Sequence, residues 1–145
     1  MILVALILFH SCTTLLLAAM NKQKILLSVT SYGVDPILEK IYRKRGFDVT
    51  ATKTLRKALA LIKQLSPDII VAEFVYAPTY GSQLSNFESL FAAAQTYAPQ
   101  ACFIALSHKD DLVHLEKVKT KIHCCYVLTM PATVTDIEDC LDDIS

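Results

Sequence analysis

The sequence predicts an α/β domain in which a parallel five-stranded sheet is covered by helices on both faces. Three observations lead there. Five short runs of apolar or β-branched residues alternate with helix-period segments between Lys24 and Ile144. The central runs are continuously apolar, as strands buried on both faces are, so the sheet should be parallel and sandwiched. Right-handed crossovers then make it doubly wound, a three-layer sandwich with strand order 2-1-3-4-5.

Each element has a local reason. ILLSV (25–29) is an apolar run with a β-branched end and reads as the first strand. Asp35-Pro36 supplies an N-cap and a proline at the first helical position, Ile37, Leu38, Ile41 and Tyr42 form one apolar face, and Gly46 stops the helix. FDVTATKT (47–54) alternates and is β-branched, which makes it the second strand. Thr54 caps the next helix, whose apolar side is Leu55, Ala58, Leu59, Leu61 and Ile62, and Ser66-Pro67 ends it.

IIVAEF is the third strand, followed by a long loop, VYAPTYGSQL, that carries Pro78 and Gly81. Ser85-Asn86-Phe87-Glu88 reads as a capping box in front of SLFAAAQTYA. CFIALS (102–107) is the fourth strand. Asp110 or Asp111 opens a helix with Leu112, Val113, Leu115 and Val118 facing inward, and CCYVL (124–128) is the fifth strand. Thr135-Asp136-Ile137-Glu138 reads as a second capping box, with Ile137, Cys140, Leu141 and Ile144 at helical spacing behind it.

Composition narrows the function classes. The chain has 145 residues, enough for one domain with a sizeable core, and a formal net charge of +0. Without a basic excess nothing argues for a nucleic-acid partner. The five cysteines show no CxxC pair, which argues against a zinc site or a disulfide framework and for small core residues. The vicinal pair Cys124-Cys125 leaves a redox role as the alternative, although neighbouring residues of a strand face opposite ways.

Residues 1–20 are almost wholly apolar and uncharged, and are set apart from the domain at 21–145. Three readings stay open: a bilayer anchor, whose Lys22 and Lys24 flank would leave the domain on the cytoplasmic side of an inner membrane; a signal segment, although no Lys or Arg precedes it; or a mis-assigned start, with Met20 beginning a cytoplasmic protein.

Open α/β sheets bind ligands beyond the carboxyl ends of their strands. Those ends carry Val29-Thr30-Ser31, Glu73-Phe74, Ser107-His108 and Thr129-Met130-Pro131. KILLSV, SPDIIVAEF, CFIALSH and LTMPATVTDIEDCL, in this order and spacing, resemble the receiver domain of bacterial response regulators, the CheY-like branch of the flavodoxin-like folds. The resemblance runs from Lys24 to Ile144. It implies a phosphate-accepting aspartate after the third strand, Mg²⁺ held by two acidic residues after the first, a hydroxyl after the fourth, and a Lys-Pro after the fifth. Those positions fall on Glu73, on Val29 and Thr30, on Ser107, and on Met130-Pro131. Only Ser107 and Pro131 keep the family's identity. Tyr126 stands near the place of the family's strand-five tyrosine.

The departures remove chemistry. Magnesium seeks hard oxygen ligands, and Val29 offers none while Thr30 offers a neutral hydroxyl. Phosphoryl transfer rests on positioning and charge neutralisation, so losing metal and lysine together disables it. Glu73 is then either a solvated strand-end carboxylate or a fixed mimic of the activated state, with Ser107 donating a hydrogen bond to it. No ammonium group is expected at this edge to pair with it.

Other constellations are weaker. Thr30-Ser31-Tyr32-Gly33 resembles a flavin phosphate loop only faintly, since one glycine makes no cradle. Asp110 and His114, four apart, lack a third metal ligand. No G-x-S-x-G context supports acyl transfer. Tyr76, Tyr80 and Phe87 are either loop packing or an aromatic rim.

The expectation is therefore a stand-alone degenerate receiver that signals through protein–protein contact without phosphotransfer, with no enzymatic activity, catalytic residue, metal or cofactor. Its partner would be a signalling kinase or an output protein, or a second copy in a homodimer, since no output domain follows Ser145. The resemblance places the partner surface on the fourth helix, fifth strand and fifth helix, including His114, Lys117, Tyr126 and Asp136. The long loop with Tyr76 and Tyr80 is a second candidate. The alternatives are a phosphorylatable regulator using a different acidic group and a flavodoxin-like binder of FMN or another small ligand.

Overall fold

The computed structural model describes residues 22–77, 85–124 and 126–144. Within them the order is β1 (Lys24–Val29), α1 (Pro36–Lys44), β2 (Phe47–Thr52), α2 (Leu55–Leu65), β3 (Ile69–Glu73), α3 (Phe87–Tyr97), β4 (Cys102–Ser107), a short 3₁₀ turn (Lys109–Asp111), α4 (Leu112–Lys119), β5 (Tyr126–Thr129) and α5 (Val134–Ile144). The strands form one parallel sheet in the order β2-β1-β3-β4-β5, as the sequence predicts. Residues 1–20, the loop positions Pro78, Tyr80 and Gly81, and Cys125 lie outside the described residues.

The continuous apolar runs feed two cores. Along β1 and β3, alternate side chains go to opposite faces of the pleat. Leu27, Val29, Ile70 and Ala72 pack under α2, α3 and α4 with Ala58, Ile62, Phe87, Leu90, Leu115 and Val118. Leu26, Ile69 and Val71 pack under α1 and α5 with Tyr42, Ile137, Cys140 and Leu141. Phe87 sits edge-on between Phe74 and Phe103, with ring centroids 5.1 Å from each. Offset and perpendicular aromatic contacts of this kind add to plain area burial.

The helix starts follow the sequence with two changes. Asp35 accepts from the Ile37 amide and Thr54 from the Lys57 amide, the two caps predicted. The box at 85–88 closes differently: Glu88 reaches back to the Ser85 amide and hydroxyl, but Ser85 Oγ accepts from Phe87 N. The second box is Thr133–Asp136, not Thr135–Glu138: Asp136 N donates to Thr133 Oγ1 at 3.1 Å, and Thr133 N to Asp136 Oδ2 at 2.9 Å. The helix thus starts two residues earlier, at Val134.

Two apolar residues expected inside face out. Ile37 is 61% exposed and Val113 60%. At 100° per residue, Val113 lies almost opposite the Leu115–Val118 line, and Ile37 a quarter-turn from the centre of the Leu38–Ile41–Tyr42 stripe. The fifth strand is Tyr126–Thr129 instead of 124–128; it pairs with β4 alone and stays half-buried, as an edge strand does.

Candidate functional site

Three parallel strands deliver their last residues to one edge. Val29 pairs with Ala72 and Glu73 with Leu106, so the ends of β1, β3 and β4 lie side by side. Val29 points into the core and presents no ligand. Thr30 is buried, and its hydroxyl donates to the Gly33 carbonyl at 2.6 Å, tightening the β1–α1 loop; Gly33 there has φ +86°, a left-handed value that suits glycine.

That turn swings Ser31 over the end of β3. Ser31 N and Ser31 Oγ both donate to Glu73 Oε2, at 2.9 and 2.7 Å. Glu73 is only 8% exposed, so the reading of a solvated strand-end carboxylate is replaced by that of a buried, hydrogen-bonded one. Its other oxygen, Oε1, lies 3.8 Å from Nε2 of the exposed His108. Asn86 holds the backbone beneath: its Nδ2 donates to the Glu73 carbonyl and its Oδ1 accepts from Val75 N, both at 2.9 Å.

Ser107 is fully buried, and its hydroxyl donates to the His108 carbonyl at 3.1 Å. It serves local backbone, and the donor expected for Glu73 is Ser31 instead. Met130 N donates to the Ser107 carbonyl at 2.8 Å, which ties the start of the β5–α5 loop to the same edge, and the Met130–Pro131 peptide is cis. Tyr32 OH donates to Met130 Sδ at 3.7 Å across the site. The phenol's pKa is raised, first by partial burial and then by the negative charges of Glu73 and Asp35.

A cleft of about 120 Å³ opens beside Glu73, lined by Thr30, Ser31, Lys53, Leu55 and Asn86 among others. Lys53 corrects the expectation that no ammonium stands here. It follows β2, and Thr30 N donates to the Thr52 carbonyl at 3.2 Å, which brings the ends of β1 and β2 together. A Cβ built on Gly33 would meet Lys53 Cε at 3.3 Å, so the lysine stem passes directly over that glycine.

The residues present do not fit the magnesium ion that the resemblance implies. The ion needs several hard oxygen ligands. One carboxylate lines the cleft, one of its oxygens already accepts two hydrogen bonds from Ser31, the Thr30 hydroxyl donates to the Gly33 carbonyl, and a lysine shares the space. No magnesium-dependent step follows from this geometry.

The sequence places Ser31 and His108 at the carboxyl ends of their strands without a role, and reads Lys53 only as part of the second strand and Asn86 only as part of a capping box. The signal was present for Ser31 and His108, each one position past a motif residue. Lys53 and Asn86 come from other parts of the fold and carried none. On the candidate partner surface, Tyr76 stacks on His114, ring centroids 3.8 Å apart and planes 2° from parallel, joining the segment after β3 to α4. Lys117 and Asp136 are exposed and Tyr126 is half-buried. Tyr80 is not among the described residues.

No family model matches this chain, and neither does any curated protein. Solved structures do. The receiver domain of AraT, a response regulator from Geobacillus stearothermophilus, aligns with a TM-score of 0.66 at 12% identity, over 85% of this chain and 93% of that one. A chemotaxis protein of Vibrio cholerae aligns at 0.64 and 16% identity, over 86% of this chain and 100% of the other. A structure of adenylate cyclase from Rhodopirellula baltica aligns at 0.63 and 20% identity, over 84% and 87%. At such identities the likeness is one of fold, and the fold of this chain is that of the CheY-like response-regulator receiver domain.

Proposed function

We propose that this protein is a degenerate receiver that acts in two-component-type signalling through protein–protein contact and does not pass a phosphoryl group through Glu73. The observation that carries the reading is the pair of Ser31 hydrogen bonds that closes the Glu73 carboxylate into the fold. An acceptor must present an oxygen in line with the incoming phosphorus, and catalysis must neutralise the charge that develops. Here the acceptor position carries a longer side chain whose Oε2 is occupied, the acidic positions are Val29 and Thr30, and the lysine position is Met130.

What remains is a receiver scaffold with a fixed charge at its switch position. The partner is a signalling kinase or output protein, or a second copy of the chain, and the surface is that of α4, β5 and α5 with the Tyr76–His114 stack at its border. Incubation with a small phosphodonor and Mg²⁺, followed by intact-mass measurement, tests the reading. An unchanged mass is expected; a stable gain of one phosphoryl group overturns it. If the fixed charge is what the partner reads, Glu73→Gln and Glu73→Ala weaken partner capture alike.

A further inference from the structure

Lys53 stands in the cleft beside Ser31 and Glu73, and the cleft's other lining residues (Val29, Thr30, Leu55, Val75 and Asn86) carry no charge. Formal charge in the cleft therefore balances within the chain: one carboxylate and one ammonium. We propose that Lys53 is the resident cation of this cleft and keeps divalent metal out of it. The inference deepens the functional reading above and rests on it.

The placement is built by the fold. Lys53 is the first residue after β2, whose last residue pairs with Val29, so its stem is rooted beside the end of β1. The β1–α1 loop leaves its path open: Gly33 has a positive φ and no side chain, and the lysine Cε occupies the place against it. No ion pair joins Lys53 to Glu73, so the lysine acts through the field in the cleft and not through a contact. A divalent ion entering would meet a single carboxylate with one oxygen engaged by Ser31, and would be repelled by the ammonium. Coulomb's law for a unit charge and a divalent ion roughly 6 Å apart in a water-like dielectric, the one that suits an exposed lysine, gives about a tenfold loss of metal affinity.

The test is a Mn²⁺ titration of the full chain, followed by paramagnetic broadening of the Ser31 and Phe74 amides. A second carboxylate is supplied by Thr30→Asp and, because Thr30 is buried, in parallel by Ser31→Asp. Wild type and Lys53→Arg should stay unbroadened at concentrations that broaden the carboxylate variants lacking Lys53. In either background, Lys53→Ala should tighten Mn²⁺ binding about tenfold or more. Equal Mn²⁺ affinity with and without Lys53 overturns the proposal, as does broadening of wild type at the same concentration as Lys53→Ala. Either result leaves the mass test untouched, whereas a phosphoryl adduct on a chain that still excludes Mn²⁺ sinks the functional reading alone.

Discussion

Ser31 donates twice to one oxygen of Glu73, once from its amide and once from its hydroxyl, and so fastens the β1–α1 loop to the end of β3. A carboxylate held by two donors in a site this buried is a structural bond between two strands as much as a remnant of chemistry.

Removing the hydroxyl tests that bond. Ser31→Ala leaves the amide donor in place and should lower stability by about 1–2 kcal/mol, in the range of hydrogen bonds to charged groups with some solvent access. Urea unfolding of Ser31→Ala, Glu73→Ala and the double variant gives the coupling, which should be close to the single Ser31→Ala loss. Additive losses would mean that the pair does not interact.

Phe87 is the centre of the core under α3, fully buried between Phe74 and Phe103. Phe87→Ala leaves a cavity and one-sided contacts for both rings, and should cost about 3–5 kcal/mol in denaturant titration. Phe87→Leu should recover roughly half of that.

The direction of α4 gives a paired prediction. Val113 faces solvent and Leu115 the core. Val113→Ser should change stability by no more than about 0.5 kcal/mol, and Leu115→Ala should cost about 2–5 kcal/mol. If Val113 packs on a partner through the α4 face, Val113→Ser weakens capture while leaving the unfolding midpoint in place.

Asp136 supplies a pH dependence. Its pKa lies below the ordinary aspartate value, because the Thr133 amide and then the Thr133 hydroxyl bond to it. A carboxyl with a depressed folded-state pKa contributes stability above its unfolded pKa and loses it as pH falls through the folded value. The first turn of α5 should therefore hold its amide protection at neutral pH and fray only below the ordinary aspartate range. Carboxyl ¹³C titration of Asp136 in wild type and in Thr133→Val checks this: the variant's midpoint should move up.

Strand order, the five βα units and both cores follow from patterns that are local in the chain. Continuous apolar runs such as IIVAE require burial on both faces, and Asp35-Pro36, Thr54 and Gly46 punctuate helices through bonds spanning a few residues. Ile37 and Val113 face solvent because an apolar residue is an inward signal only if its helix phase agrees, and the last capping box sits at Thr133–Asp136 because two Thr-x-x-acid frames overlap there.

The chain alone determined that the ends of β1, β3 and β4 reach the carboxyl edge of the sheet, since their apolar runs stop at Val29, Glu73 and Ser107 and a parallel sheet gathers them on one side. Only the tertiary structure decided how they meet: that Ser31, not Ser107, bonds Glu73, that Asn86 ties down the backbone below it, and that Lys53 arrives from β2. Those relations join residues 13 to 42 positions apart, and partners at such separation are chosen by loop geometry and side-chain reach, for which a linear pattern carries no signal.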